Sequence, residues 1–582
     1  MWMLIASAGS GFPHRVIGGV YPMLRSAHAN SIEMKSVSDA QTTRLDLFVR
    51  LWRDTSLIVI ATVTAAALFA GGYYMLAAVG FPYPIDYGEG GVLAASLDLA
   101  RGDALYPPFH EPPYTMQNYP PTFLALSSLF DMIVPTDGLT SGRILSLICT
   151  SLCAVLVGWI CFQIITADRA LRWGGAVAAG AIFLHAAPTV EWGALMRVDM
   201  FALASALGGL GVYLYRGDKF RGLFLAGLFF LLAGLTKPTV LAALAAVCVY
   251  EFFLRPKRAI GFAISVIAFV VAYILVADWA TSGWFSKHVV FGNAAGDWHW
   301  HLGFWYIEVF AQSQPLFILF AAIATVLVGG RFVGRAWAQK QNLLRLSDTR
   351  STVNPVELIV IYFVLSLLTA LTSSRMGSNV NYLLELATAT AILGAASAVW
   401  LIQNAKTLLS QLGPLRSGLI IASLSTVVLW QATSTMSQRN AYKELLTVLA
   451  PSNDLYQSAS AIVPLLREAP GMIWSDERAF SALAGKNVYF EFHDGSELVR
   501  TGEIDLGPIL DDIRRQAFSV VVLRTSLADF ERRLSTAEAR GMLDRRLLLA
   551  FAEHYAPTQQ VGEFTVFKAK DVEHSNRSDL VE

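Results

Sequence analysis

Between residues 55 and 434 the chain is a succession of long apolar runs separated by short polar turns. A run of about 20 apolar residues is long enough to cross a bilayer as a helix. Eleven such runs stand out, at 55–80, 143–166, 173–190, 197–215, 220–236, 238–254, 259–281, 304–330, 355–372, 382–402 and 417–434. The two beside Lys237 are short. A further run, "PTFLALSSLFDMIV" at 121–134, holds only 14 residues, is interrupted by Asp131 and is framed by prolines. That pattern predicts a helix lying in the interface. Past 434 the texture changes. "GMIWS", "NVYFEF", "SVVVLR" and "EFTVFK" are short β-type runs, and helical stretches such as 507–516 and 527–552 lie between them. Strands alternating with helices predict a small α/β domain, with turn signals at "AGKN" and "HDGS". The expected fold is mainly α: a polytopic membrane bundle of about 11 transmembrane helices plus interfacial helices, followed by an extracytoplasmic α/β domain. The domain limits are a cytoplasmic, partly disordered tail at 1–54, the bundle at 55–434 with a long first outer loop at 81–142, the α/β domain at 435–571, and a disordered tail at 572–582.

The loop charges set the expected orientation. One set of loops holds Arg169 and Arg172, then Arg216, Lys219 and Arg221, then Arg255, Lys257 and Arg258, then Arg331, Arg335, Lys340, Arg345 and Arg350, then Lys406 and Arg416: 15 basic residues. The opposite set holds six: Arg101, Arg143, Arg197, Lys237, Lys287 and Arg375. Basic loops stay cytoplasmic. The N-terminus is therefore expected inside, and the C-terminal domain on the periplasmic or extracellular side of a bacterial inner membrane. Counting 121–134 as a span would break this alternation.

Composition agrees. Hydrophobic residues make up 54% and charged residues 15%, against about a quarter charged in soluble chains. Zero formal net charge gives no reason to expect a nucleic-acid partner. The four cysteines, Cys149, Cys153, Cys161 and Cys248, all sit in apolar runs and read as small core residues. The first residues make no signal peptide: "MWMLIASAG" is too short an apolar stretch. Met34 opens "MKSVSDAQTTRLDLFVRLWRD" and is the expected natural start.

Chemistry concentrates at the expected outer ends of the spans. The first loop carries "PIDYGEG", with Asp86 and Glu89 three residues apart. A carboxylate there either caps a helix, through the helix dipole, or serves as a base. Glu89 opens the helical run "EGGVLAASLDLARG", which gives it the capping explanation. In "EWGALMRVD", Glu191, Arg197 and Asp199 precede an apolar span; they read as an interfacial anchor or as part of a site. Lys237 in "LTKPTV" either snorkels to the interface or binds phosphate, and Pro238 suits the first turn of the next helix. "HVVFGNAAGDWHWHLG" offers His288, Asp297, His299 and His301. That is too few ligands at fixed spacing for a zinc site, and interfacial aromatic belts give the same look. "SSRMGSNVNYLLE" places Arg375, Asn379, Asn381, Tyr382 and Glu385 at a span mouth, suited to phosphate or sugar hydroxyls, or simply to an Asn-capped helix. All four clusters fall on one expected face.

In order and spacing, "DYGEG…LARGDALYPP…NYPPTFLAL", "MRVDMFALASALGGLGVYLY", "LLAGLTKPTVLAAL" and "GSNVNYLLE" resemble bacterial GT-C membrane glycosyltransferases. The nearest groups are family 39 (protein mannosyltransferase-like) and the RgtA/B/C/D-like galacturonosyltransferase-like proteins. The resemblance covers residues 55–400. It implies a polyprenyl-phosphate sugar donor, an envelope glycan, lipid or protein acceptor, inversion by direct displacement, and an acidic base in the first outer loop. Related families show an Asp-Glu pair there; here Gly88 precedes Glu89, so Asp86 and Glu89 compete as base and Asp86 is preferred. The resemblance gives Lys237 and Arg375 the donor phosphate, with Arg197 behind them. Asp199 orients Arg197 or an acceptor hydroxyl, and Asn379, Asn381 and Tyr382 are further substrate contacts. No cofactor is certain and a divalent metal stays open. The rival readings are a polytopic transporter or a lipid-linked glycan flippase or polymerase. Transporters favour internal repeats and mid-membrane charges, and neither is evident.

Overall fold

A computed structural model describes residues 26–292, 298–338, 354–375, 377–535 and 543–570, the side chains of 26–49 and of 406, 410, 413 and 414 excepted. The expectations about Asp297, Lys340, Arg345, Arg350 and the 572–582 tail fall outside these described residues. The chain divides into two units, Met1–Ile58 and Val59–Glu582. In the first, the chain is helical from Ser26. Apart from residues 50–58, which open the first apolar helix, everything below belongs to the second.

Among the described residues, seven helices are long and apolar enough to cross a membrane: Arg50–Val79, Leu139–Ile164, Pro256–Ala280, Pro315–Ala338, Pro355–Ser374, Val380–Ala405 and Leu415–Val448. Four expected spans fold as shorter or more polar-ended helices: Arg169–His185, Asp199–Arg216, Phe220–Gly234 and Ala242–Leu254. Pro238 does not start the last of these; the chain turns through 235–241 before Ala242. The run at 304–330 is not one helix. It breaks between Trp300–Ser313 and Pro315–Ala324, because Pro315 lacks the N–H that would continue the ladder. The freed groups are satisfied from the long helix Gly413–Val448: Gln431 accepts from Leu316 N at 3.1 Å, Gln438 donates to Ser313 O at 2.7 Å, and Ser434 donates to Gln312 O at 2.9 Å. The 121–134 run is a separate helix, Thr122–Ile133.

The bundle packs through small residues, as helices in lipid do. A Cβ on Gly209 would stand 2.7 Å from the Phe230 ring, and one on Gly158 2.9 Å from Ala176 O. Outward faces stay greasy: Ile264, Ile267, Val271, Leu275 and Trp279 of Pro256–Ala280 are all exposed, the pattern of a helix whose solvent is lipid. Cys149, Cys153 and Cys161 are buried and all four cysteines are free.

The C-terminal region carries a mixed four-stranded sheet, β1 (Met472–Ser475), β2 (Phe518–Leu523), β3 (Tyr555–Val561) and β4 (Phe564–Ala569), in the order β1-β2-β4-β3. β1 and β2 are parallel, and β4 pairs antiparallel with β2 and β3. "NVYFEF" is not a strand; it makes a single bridge, Phe490 to Tyr114 of the first loop. "HDGS" is not a turn but opens the helix His493–Arg500. β3 is mostly exposed, so its sequence carries no burial pattern to read. One face of the sheet shares its core with the first loop: Phe109, Tyr114 and Met116 pack with Trp474, Tyr489, Phe490 and Phe518.

Candidate active site

The helix Tyr87–Arg101 organises the site. Asp86 is its N-cap, in extended conformation, accepting from Gly88 N at 3.0 Å; Glu89 closes a capping box by accepting from the Asp86 amide. Such reciprocal caps fix a helix start. Gly102 ends the helix at φ 79°, in the left-handed region that favours glycine.

The two carboxylates then diverge. Glu89 is fully buried. Arg143, equally buried, grips it with two bonds, Nε to Oε1 at 2.8 Å and Nη2 to Oε2 at 2.7 Å. Met196 N donates to Oε1 and Ile85 N to Oε2, both at 2.8 Å. Arg143 spends its remaining donors on the carbonyls of Ala78, Phe81 and Tyr83. Burial alone would raise the Glu89 pKa, but the Arg143 charge and these bonds outweigh it and hold the carboxyl below its ordinary value.

Asp86 keeps 11% of its side chain exposed and pairs with Arg197 Nη1 at 3.0 Å. Burial raises its pKa above the ordinary value, with Arg197 opposing. Arg197 also donates to Tyr119 OH at 3.2 Å and lies over the Trp192 ring, while its buried Nε has no partner among the described residues. Asp199 is a hub: Lys237 pairs with Oδ1, Asn381 donates to Oδ1 at 2.8 Å, and Trp192 Nε1 donates to Oδ2 at 3.1 Å. The Lys237 ammonium sits 4.8 Å from the Tyr382 ring centre. Asn379 caps the turn Val380–Leu383. Glu385 accepts from the amides of Ala242 and Ala243 at the start of Ala242–Leu254, a capping role.

A cavity of about 600 Å³ gathers these groups. Arg197, Lys237, Arg375, Asn379, Asn381 and Tyr382 line it, with Val270, Tyr273, Ile274 and Phe285 as an apolar wall. Asp86 and Glu89 do not line it; Gly88 and Arg197 do, and a Cβ on Gly88 would overlap the Arg197 guanidinium. Asp199 stands behind Lys237 and Asn381, in a small adjoining pocket of about 20 Å³. Arg375 reaches Gly292 O at 3.4 Å, its buried Nε has no partner, and no carboxylate pairs with it among the described residues.

Several liners carry no local signal in the sequence. Tyr87, Asn118 and Tyr119 come from the first loop, and Arg478, Glu491, His493 and Asp494 from the C-terminal region. Arg478 follows β1, at the carboxyl end of the parallel strand pair, where open sheets place their ligands. His288 is no ligand. Its Nδ1 accepts from Gln117 N at 3.0 Å and its Nε2 bonds Pro107 O at 2.7 Å. Burial pulls its pKa down to about 4, so it pins the first loop as neutral imidazole. His299 and His301 have their rings 5.8 Å apart, and among the described residues no three His, Cys, Asp or Glu side chains converge on a metal position.

No family model matches the sequence, and no curated protein matches it. The structure does find counterparts. It is similar to ArnT from Cupriavidus metallidurans bound to undecaprenyl phosphate, at 12% identity and TM-score 0.54, over 89% of this chain and 97% of that one. It is similar to apo ArnT from the same organism, at 12% identity and TM-score 0.51, over 90% and 98%. A more distant likeness, with TM-score 0.47 and 11% identity over 88% and 75%, is to the archaeal oligosaccharyltransferase AglB from Archaeoglobus fulgidus. The likeness to ArnT is one of fold, a multi-pass helix bundle bearing a C-terminal sheet, and it runs over almost the full length of that protein.

Proposed function

We propose that this chain is a membrane glycosyltransferase that moves a sugar from a polyprenyl-phosphate donor to an envelope acceptor (lipid, glycan or protein), with inversion. The observation that carries the reading is one cavity joining an apolar wall, Val270, Tyr273, Ile274 and Phe285, to three cations, Arg197, Lys237 and Arg375. An apolar wall beside cations suits an isoprenoid phosphate. A solved ArnT structure of this fold holds undecaprenyl phosphate, which supports a lipid phosphate here. The wall and cations would face the periplasmic or extracellular side of a bacterial inner membrane, with the N-terminus cytoplasmic, as the loop charges suggest.

In the proposed reaction an acceptor oxygen attacks the anomeric carbon as the bond to the phosphate oxygen breaks. Polyprenyl phosphate leaves with the electron pair, and Asp86 takes the acceptor proton. Arg375 and Lys237 stabilise the charge growing on the leaving phosphate. Asn379, Asn381 and Tyr382 hold the substrate beside them, and Asp199 positions Lys237. Glu89, with both oxygens committed to Arg143 and to amides, is a structural partner rather than the base. Arg197 links the two events: a bound phosphate competes with Asp86 for its guanidinium. As Arg197 turns to phosphate, Asp86 loses its counter-ion and becomes more basic.

The test uses the purified full chain with polyprenyl-phosphate sugars, following release of polyprenyl phosphate and sugar transfer in wild type, Asp86→Asn and Glu89→Gln. Wild type should consume donor and Asp86→Asn should lose about 100- to 10,000-fold in turnover. An undiminished Asp86→Asn removes the base assignment. A chain that consumes no donor but carries a solute across vesicles is a transporter.

A further inference from the structure

Part of the cavity wall has no role in the phosphate chemistry just described. It is built by the C-terminal region against the first loop. Tyr114 N donates to Tyr489 O at 2.8 Å and Glu491 N to Tyr114 O at 3.0 Å, so the segment around 489–494 is stitched beside Asn118. Four side chains of the C-terminal region reach the cavity: Arg478, Glu491, His493 and Asp494. Glu491 is fully committed: Oε1 takes Arg478 Nη1 at 2.6 Å and Oε2 accepts from Met116 N at 3.1 Å. These two side chains are taken up by each other. Burial pulls the His493 pKa down; its ring lies 4.8 Å from the Tyr87 ring, and Tyr87 OH donates to Gly377 O at 3.2 Å. Asp494 is different. Its Oδ2 accepts from the Asn118 carboxamide at 2.7 Å, and no cation pairs with it among the described residues.

A carboxylate held by a carboxamide beside an aromatic ring is a chemistry that recognises sugar hydroxyls. Asn381 also lines the cavity, and its buried Oδ1 has no partner among the described residues. Asp494 gives this wall a carboxylate with no paired cation among the described residues, which repels a second anion on the glycosyl group.

Resting on the glycosyltransferase reading above, we infer that Asp494, Asn118 and Tyr87 form a subsite for a neutral, hydroxyl-bearing glycosyl group, and that Asp494 selects against acidic sugars. The C-terminal region thus acts as the selector of the transferred sugar. A hexuronosyl group, with its own carboxylate, is the disfavoured occupant.

The experiment measures binding and turnover separately, on the full chain in lipid nanodiscs. Polyprenyl phosphate without sugar, polyprenyl-phosphate hexose and polyprenyl-phosphate hexuronic acid are compared for wild type, Asp494→Asn and Asn118→Ala. Wild type should bind the hexose lipid about tenfold or more tighter than the hexuronic acid lipid. Asp494→Asn should narrow that ratio by about tenfold while its affinity for the sugar-free lipid phosphate stays at the wild-type value. Asn118→Ala should weaken the hexose lipid and spare the sugar-free one. The inference is overturned by an equal or reversed ratio in wild type, by a ratio unmoved in Asp494→Asn, or by an equal loss for the sugar-free lipid. The ratio is read from binding, so it stands or falls even if no sugar is transferred. A preserved binding ratio with no turnover overturns the proposed reaction and leaves the subsite intact.

Discussion

Asp86 is at once a helix cap and the candidate base, and the two roles can be separated at that residue. Asparagine caps a helix about as well as aspartate, so Asp86→Asn should keep the helix start while losing turnover, its fall in unfolding temperature being set by the buried Arg197 left without its ion pair. Burial raises the Asp86 pKa above its ordinary 3.8, with Arg197 opposing. A base must be deprotonated to act, so kcat/KM is expected to fall on acidification through a midpoint above 3.8. A pH–rate profile flat down to that value would remove Asp86 from the chemistry. Glu89 has the opposite sign. Its folded pKa lies below the ordinary 4.5, so its stabilisation is fully present above 4.5 and is lost as pH falls through the lowered folded value. Glu89→Gln or Arg143→Leu leaves a buried charge without its partner and should destabilise by about 3–5 kcal/mol, read as a lowered unfolding temperature in detergent. Of this residue chemistry, the sequence made legible that Asp86 and Glu89 matter and that Glu89 helps start a helix. It hid Arg143, which stood out only as one of six basic residues on the sparse side of the loops. Nothing local ties it to a carboxylate 54 positions earlier.

At the scale of elements, the first turn of Tyr87–Arg101 is built around close approach. Gly88 leaves room for the Arg197 guanidinium that a methyl group would fill. Alanine suits a helix better than glycine by about 1 kcal/mol, so Gly88→Ala should keep the fold while displacing Arg197. A misplacement of this kind costs about 100-fold in kcat/KM; transfer kinetics beside thermal unfolding would check both halves. The long helices were readable from apolar run length alone. The break at Ser313–Pro315 was not, because apolar residues continue on both sides of it and the polar face that repairs it, Gln431, Ser434 and Gln438, lies more than a hundred positions away. The same distance effect hid the C-terminal liners. "HDGS" looks like a turn when read locally, and its burial against the first loop makes it a helix start.

For the molecule as a whole, the loop charges give the orientation a direct test. A membrane-impermeant thiol reagent applied to intact spheroplasts should label Asp103→Cys and spare Asp218→Cys, both exposed positions; the reverse pattern would invert the expected topology. The native cysteines Cys149, Cys153 and Cys161 are buried and give little background. The Glu89–Arg143 pair also bears on how this chain can change over generations. Each partner is an isolated charge in a dry interior if the other is lost, and such neighbours do not act additively. Drift at either position alone crosses a fitness valley, so the two can be exchanged only together. Among diverged descendants of this gene, positions 89 and 143 should therefore be either both ionic or both apolar, a signature of joint inheritance that a single sequence cannot display.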